Sequence, residues 1–156
     1  MKTRMTLFFP DLNVWLALSD PAHVHSPGAW NWINHESRDL STGARLIFSR
    51  YTNVGLLRLL TNAAVMGPQI MTLRQAWRVY DTWRADPRVD FYPEPSGMDI
   101  AFRAATRPFE DRPSSKWVGD CYLIAYAKEC RATLATFDKA LLAAARKSGC
   151  RAIVPV

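Results

Sequence analysis

Short apolar runs alternate with helix-patterned stretches along the whole 156-residue chain, and this alternation restricts its fold more than any other feature. Residues 6–18 read as a strand entering a loop or short helix, with Asp11 at the transition. ARLIFS (44–49), VDFY (89–92), ATLATF (132–137) and RAIVP (151–155) read as further short strands. Helix signals lie between them. Ser26 caps and Pro27 opens a helix running to about Arg38, with Ala29, Trp30 and Ile33 on its face. Thr52 opens the next helix, NVGLLRLLTN, and residues 67–69 break the chain. Thr72 caps a long helix that Asp86-Pro87 ends. Ser96 caps a helix over 98–106, and further helices are expected over 118–130 and 139–148. Strands alternating with helices imply one domain over 1–156, an α/β sandwich whose sheet is mainly parallel.

Three aspartates interrupt this apolar pattern: Asp11 in FFPDLNVWLAL, Asp120 in WVGDCYLIAYA and Asp138 in LATFDKALL. A lone carboxylate is costly to bury unless it is hydrogen-bonded, paired or metal-bound. Parallel sheets bind ligands outside the carboxyl ends of their strands, where Asp11 and Asp138 are expected. Asp120 is expected in the first turn of its helix, and Leu123, Ile124 and Ala127 at +3, +4 and +7 put it on the core-facing stripe. Asn53 opens a similar stripe, Leu56, Leu57 and Leu60. Each residue also has a structural reading. Asp138 is a good helix cap, Asp120 is favourable against a helix dipole, and Asn53 suits helix initiation. Asp11 is the hardest to explain by a helix start. Asn13 either caps a short helix or holds a metal-coordinated water, and Arg58 pairs with a carboxylate, touches phosphate or is simply a solvated charge. Clustered carboxylates of this kind suit a hard divalent cation such as Mg²⁺, which activates water and stabilises charge on a phosphodiester.

The remaining composition fits that chemistry. Twenty Lys and Arg against 14 Asp and Glu give a net charge of +6, which favours a polyanionic partner such as nucleic acid. No run approaches the roughly 20 apolar residues of a membrane span. The start resembles a signal peptide only until Pro10, Asp11 and Asn13 interrupt it, so a cytoplasmic location and no membrane partner are expected. Cys121, Cys130 and Cys150 have no CxxC spacing, which argues against a zinc site or a disulfide framework. His23 and His25 form an HxH pair that can bind metal, but with no cysteine nearby a structural role is the favoured reading for the three histidines, His35 included. Trp15, Trp30, Trp32, Trp77 and Trp83 read as core or partner-interface residues, and Trp117 either packs or stacks a base. No glycine-rich phosphate loop follows the first strand, which argues against dinucleotide binding.

In order and spacing, these motifs resemble PIN-domain ribonucleases, most closely the VapC-type toxins of bacterial toxin–antitoxin pairs. FPDLNVWLAL is similar to the first motif of that family, RYTNVGLLRLLTN to the second, and WVGDCYLIAYAKECRATLATFDKAL to the third and fourth. The resemblance implies a three-layer α/β/α (PIN-like) domain with Asp11, Asp120 and Asp138 as ligands of Mg²⁺ or Mn²⁺, and Asn53 beside them. It implies cleavage of RNA, a cognate VapB-type antitoxin that blocks the site, and a homodimer. Thr136, Asn13, Arg58 and Lys116 are weaker candidates for supporting the ligands or touching RNA. Asn53 departs from the family, which usually carries Glu there. Three carboxylates then remain instead of four, and a catalytically weak or inert RNA- or antitoxin-binding module is the alternative reading. Glu110 and Asp111 are poor candidates to compensate.

Overall fold

The computed structural model describes residues 5–36 and 43–156. The elements run β1 (Leu7–Pro10), α1 (Leu12–Ser19), α2 (Ser26–Glu36), β2 (Arg45–Phe48), α3 (Arg50–Leu60), α4 (Ala63–Met66), α5 (Leu73–Ala85) and β3 (Val89–Phe91). They continue with α6 (Met98–Thr106), α7 (Ser115–Glu129), β4 (Thr133–Ala135), α8 (Lys139–Lys147) and β5 (Ala152–Ile153). The expected end of the second helix at Arg38 lies outside the described residues.

All four strand pairings are parallel, and the order across the sheet is β3-β2-β1-β4-β5. The chain walks from β1 outward to β3, returns to the other side of β1, and walks outward again to β5. Right-handed crossovers in opposite directions place helices on opposite faces. Strand alternation matches this. Phe8, Leu46, Phe48, Val89 and Ala135 pack with Trp15, Ile33, Leu56 and Trp83 from α1, α2, α3 and α5. Phe9, Ile47, Leu134 and Ala152 pack with Met98, Tyr126 and Leu141 from α6, α7 and α8. The result is a three-layer α/β/α sandwich whose strands are apolar on both faces because both are covered.

Trp15 anchors the first layer, stacked 3.8 Å from the Phe48 ring and fully buried. Its indole N–H has no partner. Burying a ring of this size gains roughly 4–6 kcal/mol by area, which outweighs the ~1–3 kcal/mol cost of the unpaired N–H. Trp32 and Trp83 are also buried, whereas Trp30 and Trp77 stay partly exposed.

Several helix starts differ from the sequence reading. α3 begins at Arg50, not at Thr52: Ser49 is the cap, in a reciprocal box with Thr52. Asn53 is therefore the fourth residue of α3 and does not initiate it. α6 is preceded by Gly97 without a side-chain cap, so Ser96 does not fill that role. α7 begins at Ser115, three residues before its expected start, which moves Asp120 from the first turn to the second. Asp11 caps α1, so a helix start does explain it, and Asn13 lies within that helix and does not cap it.

Candidate active site

The chain reverses its walk between β1 and β4, and the crevice outside their carboxyl ends is where an open parallel sheet binds ligands. The Asp11 N–H donates to Ala135 O at 3.0 Å, extending the β1–β4 ladder one step past Pro10. The Asp11 side chain then turns back over α1. Its Oδ1 accepts from the N–H groups of Asn13 (2.9 Å) and Val14 (3.2 Å). Its Oδ2 accepts from the hydroxyl of Thr136, which is fully buried just past β4. Thr136 Oγ1 in turn accepts from the Asp138 N–H at 3.0 Å. Asp138 Oδ1 caps α8, accepting from Ala140 N (2.8 Å) and Leu141 N (3.1 Å). One hydroxyl thus ties the two acidic segments together, and two positive helix ends flank the crevice.

Asp120 reaches the same crevice from α7. Its carboxyl is pushed up to about 6, first by burial and then by the charges of Asp138 and Asp11, with Lys116 pulling it down. Burial also raises Asp11, against the bonds from Thr136, Val14 and Asn13, and Asp138 adds to the rise. Asp138 acting on both other carboxyls, and Asp11 on Asp120, marks one shared electrostatic site. Lys116 is one turn before Asp120 on the exposed side of α7, with Nζ 5.6 Å from the centre of the Trp117 ring. Trp117 stacks on Phe109 at 4.7 Å, which is the packing role. Glu110 and Asp111 are exposed and are not among the charges acting on Asp120.

The remaining candidates divide. Asn53 is 1% exposed; its Oδ1 accepts from Arg50 Nη1 at 2.8 Å, and its Nδ2 is buried without a partner. α3 starts directly after β2, the neighbour of β1, so Asn53 belongs to the same carboxyl edge. Asn13 is exposed and supplies its backbone N–H to Asp11. Arg58 is exposed in the last turn of α3, about 7.5 Å further down the helix axis than Asn53, and is not brought to the carboxylates.

Two residues escaped the sequence reading. Arg50 opens a helix that the sequence pattern starts only at Thr52, so its place in the first turn is not visible in the sequence. Tyr51 crosses to α7, where a Cβ on Gly119 would come within 2.5 Å of its hydroxyl. A side chain beside Asp120 would have to push the Tyr51 hydroxyl aside, a signal visible only once the two helices are brought together.

The donor set suits a hard cation: three carboxylate side chains whose repulsion is only partly offset by Lys116. Among the described residues no three His, Cys, Asp or Glu side chains stand in a ready-made metal cluster. An ion held there would keep part of its water shell, as Mg²⁺ ordinarily does.

No family model matches the chain. Ribonuclease VapC41 of Mycobacterium tuberculosis is 34% identical to it over 134 residues, 83% of this chain and 88% of the relative. The chain belongs to the VapC ribonuclease family. Solved structures share the VapC-type fold at low identity. VapBC2 from Rickettsia felis, bound to a DNA fragment from its promoter, superposes with a TM-score of 0.68 at 10% identity, covering 96% of this chain and 98% of that one. VapBC-1 from nontypeable Haemophilus influenzae superposes with a TM-score of 0.66 at 16% identity and the same coverage, 96% and 98%. Among the described residues no helix is long and apolar enough to cross a membrane.

Proposed function

We propose that this VapC-family chain is the endoribonuclease toxin of a VapBC-type toxin–antitoxin pair, acting in the cytoplasm and restrained by a cognate VapB-type antitoxin. Asp11, Asp120 and Asp138 would hold Mg²⁺ or Mn²⁺. What most supports this reading is the convergence of three carboxylates from three elements on one crevice, where Asp138 raises the proton affinity of Asp11, and Asp138 and Asp11 together raise that of Asp120. The net charge of +6 suits an RNA substrate around that acidic spot. A divalent ion bound there would supply Lewis-acid stabilisation of a phosphodiester and a more acidic water.

The residues themselves have separable tasks. The Thr136 hydroxyl and two α1 amides fix the Asp11 carboxylate, so little reorganisation remains when substrate arrives. Asp138 is fixed by α8 in the same way. Asp120, raised to about 6, takes or releases a proton near neutral pH while no cation is bound. Lys116 offsets part of the negative field.

The test is cleavage of total bacterial RNA by purified wild type and Asp120→Ala, each with Mg²⁺, Mn²⁺ or EDTA, mapped by end-sequencing. Metal-dependent cuts lost in the variant are expected. Asn53, a neutral amide bonded to Arg50, favours a second reading, an inert RNA- or antitoxin-binding module. RNA binding without cuts under any metal would select it. The homodimer implied by the family is checked by light scattering of the same preparation.

A further inference from the structure

We propose that Arg50 and Arg84, sharing the ring of Phe91, form a clamp for a backbone phosphate of the RNA strand beside the carboxylates, and that Asn53 is the residue that positions Arg50. This rests on the ribonuclease reading above and names a substrate contact for it. The Arg50 guanidinium carbon lies 4.6 Å from the Phe91 ring centre, and that of Arg84 lies 5.8 Å from the same centre. Both arginines are exposed, and Phe91 is half-buried at the carboxyl end of β3. Among the described residues the ion pairs are Arg88–Asp86 and Arg103–Asp99, so neither clamp arginine has a carboxylate partner. Two like charges on one ring repel, and a bound anion relieves that repulsion.

The position of Arg50 strengthens the case. It is the first residue of α3, at the positive end of the helix dipole, where a cation is disfavoured and an anion is welcomed. Its guanidinium spends one donor, on Nη1, on Asn53 Oδ1 at 2.8 Å, which leaves its Nε–Nη2 edge for bidentate phosphate binding. The buried amide holds Arg50 without neutralising it. A carboxylate at position 53 would form an ion pair with Arg50 and cancel the charge, which gives the departure at Asn53 a physical use. Phe91 is two strand spacings from β1 on the same edge, about 10 Å. A single strand of RNA laid along this edge meets the acidic crevice and then the clamp.

The experiment measures fluorescence anisotropy of a labelled, mixed-sequence 12-nucleotide single-stranded RNA, titrated in EDTA across a range of salt. The parent protein is Asp120→Asn, so that cleavage does not intrude. Arg50→Ala and Arg84→Ala are each expected to weaken binding and to flatten the slope of log affinity against log salt by about 0.7, the value for one lost phosphate contact on a single strand. Asn53→Asp is expected to flatten the slope although Arg50 is still present, a result that a merely structural role would not produce. Parent-like slopes in the two arginine variants would overturn the clamp alone. No salt-sensitive binding by the parent would overturn both the clamp and the ribonuclease reading beneath it.

Discussion

Asp120→Asn gives a stability signature that follows directly from the site. The wild-type carboxyl stands at about 6 in the folded chain against an ordinary 3.8. A difference of that size corresponds to about 3 kcal/mol for a fully desolvated group, and roughly 1–2 kcal/mol once half-exposure is allowed for. Because the folded pKa is the higher one, the folded chain binds this proton more tightly than the unfolded chain does. The stabilising contribution is therefore complete below pH 4 and is lost as pH rises through about 6. At pH 8 the ionised carboxylate opposes folding, and Asn removes that opposition. Urea unfolding followed by circular dichroism in EDTA should show the variant more stable than wild type by roughly 1–2 kcal/mol at pH 8, and the gap should shrink toward pH 4.5. Adding Mg²⁺ at pH 8 should narrow the gap from the other side, since an ion that binds the folded wild type stabilises it. A variant equal to or less stable than wild type at pH 8, or a gap independent of pH, would refute the electrostatic account of the crevice.

Thr136→Val keeps the shape of the side chain but leaves Asp11 Oδ2 and the Asp138 N–H without their bond. It should cost about 1–3 kcal/mol in urea unfolding, and more at pH 8 than at pH 5, because the Thr136 bond is the strongest influence holding the Asp11 carboxyl down. Asp11→Asn retains an oxygen for the α1 cap while Asp11→Ala loses it, so the alanine variant should be the less stable of the two by about 1 kcal/mol, with cleavage lost in both. Gly55→Ala places a Cβ against Leu12 Cδ2 where α1 meets α3. The helix-propensity gain of about 1 kcal/mol is outweighed by overpacking of about 1–3 kcal/mol, so the melting temperature should fall; a rise would show that Leu12 repacks freely.

The layered sheet was legible because each strand and helix carries its own local pattern. LFFP, RLIF and TLA are apolar on both faces, and short polar or proline-containing segments separate them from amphipathic helices. Asp11 and Asp138 were legible for the same reason, as polar residues at the ends of apolar strands. Helix starts were less so. Ser115 and Lys116 extend α7 backward on its solvent side, where no apolar periodicity marks a helix, so Asp120 was placed one turn too early. In α3, Ser49 and Thr52 are both good caps, and only the reciprocal bonds between them show which one begins the helix. The bond from Thr136 to Asp11 spans 125 positions, and the Arg50–Phe91 contact joins the start of the β2-to-β3 crossover to the strand at its end. Contacts of that range leave no trace in local spacing. Arg58 drew attention because its charge was visible, although its depth along the helix was not.

The central claim is that Asp11, Asp120 and Asp138 form a single cation site. Mn²⁺ titration followed by electron paramagnetic resonance tests it most directly, on wild type and on the Asp11→Asn, Asp120→Asn and Asp138→Asn proteins. One bound Mn²⁺ per chain in wild type, displaced by Mg²⁺ and weakened by each of the three substitutions, is the predicted result. Binding that survives all three substitutions, or no Mn²⁺ bound by wild type, would contradict it.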